Sequence, residues 1–533
     1  MAAAAAIGRI MPTTNGTPGF SAASHAFMMV SLRIARAAAV VCLVSACGGA
    51  HSSDLVVPRT AIGVNVNTIA YWDGSRPFEN LIYGSHWQME GPAGWEEVPP
   101  ARLDANGWVK SLPTGYRAAR VLSVPASSAE IVCRWQGNDR NSIRVGSDGA
   151  TSDVVRKPGS NELRFHYRSS YPKTAASAFL TFDVDPSNYV RTIDCRDAAA
   201  AAGETFDPTF VGTLQGFRVV RFMKWQTAVE ANRRVTWATR NKPGHGSYWM
   251  NDGVPIEEMV ALANRVGADP WFAMPWNADD EYITRFATYV RDNLTPGRRV
   301  YVEVSNEVWN AGYPVQRQAQ EEGAAEGLDP RYSAYGQAMY RYAEKTQRVM
   351  GIWSVVFGQQ MNRLVRVAST QNVSPFWSDQ ILGYRNTAKY VDALATAPYW
   401  PFLDSDYGGQ SVDQVMAKVL PTKISETLNW AVQQKAVARK YGKRYIAYEG
   451  GQHVWLNRNR ALVGQIERDP RMIGLYASYL NRWNSSIGDT LTLFALTGPT
   501  DKAGFGLVEY AGQPLERSPK MRAVRRFMVE HGR

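Results

Sequence analysis

Beyond residue 216, short apolar runs alternate with stretches in which apolar residues return every three or four positions. Strands are predicted at 217–223, 271–276, 300–304, 364–368, 391–396, 444–448 and 491–496, each five to seven residues long. Between them, Ile256, Met259, Val260, Ala263 and Val266 fall on one helical face. Ile283, Phe286, Val290 and Leu294 do the same behind Asp279 and Asp280, two acids placed to open a helix. Further helices are predicted over 333–355, 424–441 and 518–530. One more strand, 61–67, precedes all of these.

The stretch 84–205 has a different texture. Period-two alternation over 118–124, 129–135, 163–167 and 178–184, between Gly, Pro, Ser and Asn turns, predicts short antiparallel strands packed as a small sandwich. Eight strands separated mainly by helix-length connections predict an α/β fold, a (β/α)8 TIM barrel with this β-rich module inserted after strand one. A doubly wound sheet is the alternative, but the Gly-rich first turn it needs is missing. The chain divides into a leader at 1–47, a linker and first barrel strand at 48–83, the insert at 84–205 and the rest of the barrel at 206–533.

The leader changes the picture of where the protein works. Arg33 and Arg36 precede an apolar run at 37–43 and the tetrad Val44-Ser45-Ala46-Cys47. That order of charge, apolar run and small residues is an export signal too short to span a bilayer. The tetrad resembles a bacterial lipobox, which implies lipidation of Cys47, a membrane anchor, and an outer-membrane or periplasmic location, with secretion as the alternative. Cys133 and Cys195 remain. An oxidising compartment permits them to pair or to stay as two buried thiols.

Composition adds two constraints. The chain of 533 residues has a formal charge of +11, which falls to +8 without the three arginines of the leader. The basic residues are scattered, with no basic arm, so nucleic acid is not an expected partner. No Cys/His cluster has zinc spacing, no Gly-rich phosphate loop appears, and no cofactor is expected.

In a barrel, chemistry gathers at the carboxyl ends of strands, where eight loops converge. Two acids stand there: Glu307 in Ser305-Asn306-Glu307-Val308-Trp309, and Glu449 in Tyr448-Glu449-Gly450-Gly451. Two carboxylates flanking a glycosidic bond suffice for its hydrolysis, one protonated and one ionised. The Asn306-Glu307 pair after strand four, with Glu449 after strand seven, resembles the clan A glycoside hydrolases. The resemblance covers roughly 60–80 and 215–530 and leaves out the insert. It implies a retaining double displacement on a β-linked oligo- or polysaccharide, with Glu307 as acid/base, Glu449 as nucleophile and Asn306 as donor to the sugar 2-hydroxyl. It also implies that Arg221 orients the nucleophile and that Tyr399 hydrogen-bonds it. Two features of the clan are missing, a His-x-Tyr pattern at strand six and a Trp at the end of strand eight.

His453, four residues past Glu449, is placed to tune the mouth. Trp225, Trp249, Trp276, Trp309, Trp400 and Trp455 fall near predicted strand ends, where indole faces suit the apolar faces of sugars; core packing is the competing role. The competing functions are a carbohydrate-binding lipoprotein without activity and a serine esterase. For the esterase, Ser247 sits in a loop without identifiable partners, and no nucleophile elbow is present.

Overall fold

The computed structural model describes residues 61–531 except 124–126, 148–149, 170–177, 227, 229–232, 251 and 501–503. The leader and the lipidation expected at Cys47 lie outside the described residues. Among those described, no helix is long and apolar enough to cross a membrane.

In chain order the strands are β1 (Ile62–Asn65), then β2 (Gln88–Gly91), β3 (Gly94–Glu97), β4 (Arg117–Leu122), β5 (Ala129–Gln136), β6 (Arg144–Ser147), β7 (Thr151–Arg156), β8 (Glu162–Tyr167), β9 (Ala178–Phe182) and β10 (Arg191–Asp197). These are followed by β11 (Val219–Arg221), β12 (Asp269–Met274), β13 (Val300–Val304), β14 (Leu364–Ser369), β15 (Ala393–Thr396), β16 (Tyr399–Leu403), β17 (Arg444–Ala447), β18 (Gly451–Trp455) and β19 (Leu491–Leu493). Strands β1, β11, β12, β13, β14, β15, β17 and β19 close, in that order, into a parallel barrel, which excludes the doubly wound sheet. Each of these strands corresponds to one expected from the apolar pattern.

Alternation decides what lies on each side of the wall. Val220, Phe272 and Val302 face the helices, while Trp271 and Tyr301 stack inside the barrel with ring centroids 5.2 Å apart. The helices begin and end where their local chemistry directs. Asp279 caps Asp280–Asn293 by accepting from the Tyr282 backbone N–H at 2.8 Å. Ile256–Val266 carries Glu257 and Glu258 in its first turn and stops at Gly267, whose left-handed φ of 68° suits glycine.

The insert after β1 is two facing sheets, one ordered β10-β5-β8-β7 and the other β3-β2-β4-β9-β6. Ile131, Cys133, Phe165, Leu180 and Phe182 fill the space between them. Cys133 and Cys195 face each other across the β5–β10 ladder and form a disulfide. The buried Arg120 fastens the insert to the barrel, donating from Nε to the Ile82 carbonyl at 2.9 Å and from Nη2 to the Gly246 carbonyl at 2.6 Å. Beside the barrel, β16 and β18 pair in parallel, a two-stranded sheet that the sequence pattern does not reveal.

Candidate active site

Inward-pointing residues at the carboxyl ends of the strands meet around one guanidinium. Arg221, the last residue of β11, is fully buried. Its Nε donates to Glu303 Oε1 at 2.7 Å. Nη1 donates to Asn65 Oδ1 at 2.9 Å and to Glu449 Oε1 at 2.7 Å, and Nη2 to Asn306 Oδ1 at 2.7 Å. Burial alone would pull this guanidinium's pKa down; the facing charges of Glu303 and Glu449 more than offset that and hold it above its ordinary value. Glu303, itself fully buried, is pushed up by burial, and Arg221 opposes the shift.

Past β13 the chain turns through Ser305, Asn306 and Glu307. Ser305 (φ 56°) and Glu307 (φ 47°) both adopt left-handed backbone, costly for residues with a Cβ. The turn is held in place. The Ser305 N–H donates to the Met274 carbonyl at 2.7 Å, its hydroxyl donates to the Ala228 carbonyl at 2.6 Å, and the Asn310 N–H donates to the Glu307 carbonyl at 2.7 Å. Asn306 uses Oδ1 to accept from Arg221. Its Nδ2 is buried with no partner among the described residues.

The two acids differ in their surroundings, although each is only 5% exposed. Glu307 accepts from the Tyr448 hydroxyl at 3.1 Å and from Asn310 Nδ2 at 2.9 Å, both neutral donors. Burial, and then the charge of Glu449, push its pKa up to about 7. Glu449 accepts from the Arg221 guanidinium and, through Oε2, from the Tyr399 hydroxyl at 2.8 Å. Tyr399 is raised well above its ordinary value by burial and by the charges of Glu449 and Glu307, so it remains a donor. His453, on β18, stacks on Phe505 at 4.6 Å and lies 5.8 Å from the Tyr399 ring. Burial lowers its pKa to about 4, which leaves it neutral at ordinary pH.

The structure therefore brings Glu307, Glu449, Asn306, Arg221, Tyr399 and His453 to one end of the barrel. The tryptophans divide. Trp225, Trp276 and Trp400 are 1%, 2% and 0% exposed, which corrects the expectation that they stack on sugars. The Trp225 indole donates to the Asn67 carbonyl at 2.8 Å, Trp276 donates to Glu322 Oε1 at 3.0 Å, and Trp400 packs on Tyr476 and Tyr479. Buried this deeply, the three indoles serve as packing in the core, where they fill volume that water is excluded from. Trp309 is also buried and donates to the Tyr448 hydroxyl at 3.2 Å. Trp249 packs among Tyr71, Trp72 and His86. Half-buried Trp455 is covered by the Arg460 guanidinium, 4.5 Å from its ring centroid.

Several site residues escape a reading of the sequence. Tyr448 ends a run of strand residues and looks like core, yet its hydroxyl holds Glu307. Phe494 follows β19, where the clan pattern has Trp, and meets Phe505 and Tyr399 edge-on; the Phe494–Ala495 peptide bond is cis. Lys224, in the turn Met223–Trp225 after β11, lies within electrostatic reach of Glu449 and Glu307. The signal in each case is position one to three residues past a barrel strand. Among the described residues, no three His, Cys, Asp or Glu side chains gather as metal ligands.

No protein-family model matches this chain, and no curated protein matches it. Solved structures are similar to it at low identity. A 4-O-α-L-rhamnosyl-β-D-glucuronidase from Fusarium oxysporum 12S shares 14% identity at a TM-score of 0.38, covering 61% of this chain and 65% of that one. A GH5 family lichenase from Caldicellulosiruptor sp. F32 shares 14% at 0.37, covering 61% and 83%. The CBM22-1–GH10 modules of Clostridium thermocellum xylanase 10B share 10% at 0.35, covering 88% and 99%. The chain thus spans a little under two thirds of the glucuronidase. All three scores lie below 0.5, and the fold described above rests on the strand pairing itself.

Proposed function

We propose that this chain is a retaining glycoside hydrolase of the clan A type, cleaving a β-linked oligo- or polysaccharide without a cofactor. One observation carries the reading: two buried carboxyl groups share a barrel mouth, and their donors differ in kind. Glu307 has neutral donors and a pKa of about 7, suiting it to give a proton to the leaving oxygen. Glu449 is held by a guanidinium and a phenol, suiting it to attack the anomeric carbon as a carboxylate.

In the first step, a Glu449 oxygen bonds to the anomeric carbon as the glycosidic C–O bond breaks. The Glu307 proton passes to the departing alcohol. In the second, Glu307, now ionised, takes a proton from water. The resulting hydroxyl displaces Glu449, restoring both side chains and releasing sugar of the original anomeric configuration. Asn306 supports the same reading, since Arg221 fixes its oxygen and its Nδ2 keeps a donor for the sugar 2-hydroxyl.

The test is a glycan panel with NMR of the first product formed. Release of the same anomer as in the substrate is expected. Glu449→Ala should abolish turnover, and azide should rescue it as a glycosyl azide of opposite configuration. Full activity in Glu449→Ala, or an inverted first product, would overturn the proposal. The reading also places the enzyme on the bacterial envelope through a lipid on Cys47, which rests on the Val44-Ser45-Ala46-Cys47 tetrad. Incorporation of a labelled fatty acid, lost in Cys47→Ala, is the expected result.

A further inference from the structure

The insert's five-stranded sheet buries one face against its partner sheet. On β4, Ala118 and Leu122 point into that sandwich core, so Ala119 and Val121 point the other way. The ladders carry that outer face across the sheet. Val121 pairs with Phe179, Ala119 with Gln88, and Glu90 with Trp95. Trp95 and Phe179 sit on strands three places apart in the sheet, yet their rings meet edge-on with centroids 5.1 Å apart. The two rings meet over Ala119, which lies between them in register and is fully buried.

The barrel continues the same row of rings. Tyr71, in the loop after β1, packs against the Val121 and Phe179 pair, as Trp95 does. It also meets Trp72 edge-on at 4.8 Å, and Trp72 meets Trp249 at 4.8 Å. Trp249 belongs to the loop after β11, and its neighbour Met250 donates to the Ile69 carbonyl of the β1 loop. Both loops leave the barrel at the end that holds Arg221 and Asn65. Trp95, Tyr71 and Trp72 each keep part of their surface in solvent, and Glu90 and Glu97 flank Trp95 on the same face. Partly exposed rings beside carboxylates match a sugar chain, which offers apolar C–H faces and rows of hydroxyls.

We propose that this row, from Trp72 across Tyr71 to Trp95, is the distal part of the substrate cleft, where the insert binds the glycan chain whose reacting end lies at Glu307 and Glu449. The proposal rests on the hydrolase reading and gives the insert a substrate-holding role in it. The occupant is a polymer, because a single sugar at the mouth would not reach the outer face of the sandwich.

The test is retardation of the full-length Glu449→Gln protein in native gels containing barley β-glucan, birchwood xylan or carboxymethylcellulose. At least one polymer should retard it. Trp72→Ala and Trp95→Ala, each added to that background, should raise the polymer concentration for half-retardation by about fivefold or more. Trp95→Tyr should recover most of the loss. Thermal unfolding separates lost binding from lost folding. Three results would overturn the proposal: no polymer retards the parent, both alanine variants bind as the parent does, or Trp95→Tyr fails to rescue a stably folded protein. The hydrolase reading fails separately, if the wild type is retarded by a polymer yet releases no sugar from it.

Discussion

Arg221 and Glu449 are joined at 2.7 Å through Nη1 and Oε1, and the same guanidinium donates to Asn65, Asn306 and Glu303. Glu303 Oε1 lies 2.6 Å from Nη2 as well as 2.7 Å from Nε, so both nitrogens face its charge. A planar fork with five donors can hold four acceptors from the ends of three strands, β1, β13 and β17, at once; a lysine with three cannot. The position of the proposed nucleophile and that of the turn leading to Glu307 are therefore set by one side chain.

Arg221→Lys should reduce kcat/KM about 100-fold or more, since a reacting group displaced by an ångström loses that much. Arg221→Met should be worse for stability. It leaves Glu303 and Glu449 buried without their counter-charge, a loss on the order of 3–5 kcal/mol. Urea unfolding of both variants checks this, with a lower midpoint for Met than for Lys.

Glu307 sets the pH dependence. Its pKa rises from an ordinary 4.5 to about 7, so the folded protein binds a proton there that the unfolded chain releases earlier. Stability from this group is complete below about 4.5 and is lost as pH climbs through 7, amounting to about 3 kcal/mol by pH 9. Glu307→Gln should therefore be more stable than the wild type at pH 9 and gain nothing at pH 4. Activity should fall on the alkaline side with a midpoint near 7, because the proposed proton donor is lost there. His453, already neutral above about 4, should not add a second transition in that range. A kcat/KM profile flat from pH 6 to 9 would contradict the assignment.

The barrel strands were legible because each is a short apolar run ahead of a helix with a visible start, as at Asp279. The outer strands of the insert were not. In β7, Asp153, Val154 and Val155 are all exposed, so no inward–outward alternation marks the strand. β16 and β18 were hidden for another reason: they pair with each other beside the barrel, and Tyr399 and His453 read as loop residues until that pairing is seen. At the site, Glu307 and Glu449 stood out because a carboxylate at a strand end is chemically conspicuous. Tyr448 and Phe494 did not, because a ring in that position looks like packing. Sequence also cannot say which way an indole points, and Trp225, Trp276 and Trp400 turned out to point inward.

The Cys133–Cys195 bridge spans a sequence separation of 62 residues within the insert. Opening a loop of that length removes about 4 kcal/mol of chain-entropy stabilisation. Cys133→Ala/Cys195→Ala should therefore lower the insert's unfolding midpoint, while turnover of a small aryl glycoside, which needs only the barrel mouth, should persist below that temperature. Calorimetry with and without reductant checks the first expectation and a colorimetric assay the second.

Trp400 and Trp225 separate packing from sugar binding, because both are core yet differ in one hydrogen bond. Trp400→Ala should cost about 3–5 kcal/mol, the usual penalty for emptying a large aromatic site. Its indole N–H has no partner among the described residues, so Trp400→Phe discards an unsatisfied donor along with some volume and should be mild. The Trp225 N–H donates to the Asn67 carbonyl, and Asn67 in turn donates to the Thr497 carbonyl at 2.7 Å, tying the loop after β1 to the loop after β19. Trp225→Phe should therefore destabilise by about 1 kcal/mol more than Trp400→Phe, since a partly buried carbonyl loses its donor. If both rings bound sugar instead, the two substitutions would raise KM for long substrates and leave the unfolding midpoint in place. Unfolding curves measured beside KM on a polymeric substrate distinguish the outcomes, and the burial of both rings favours the first.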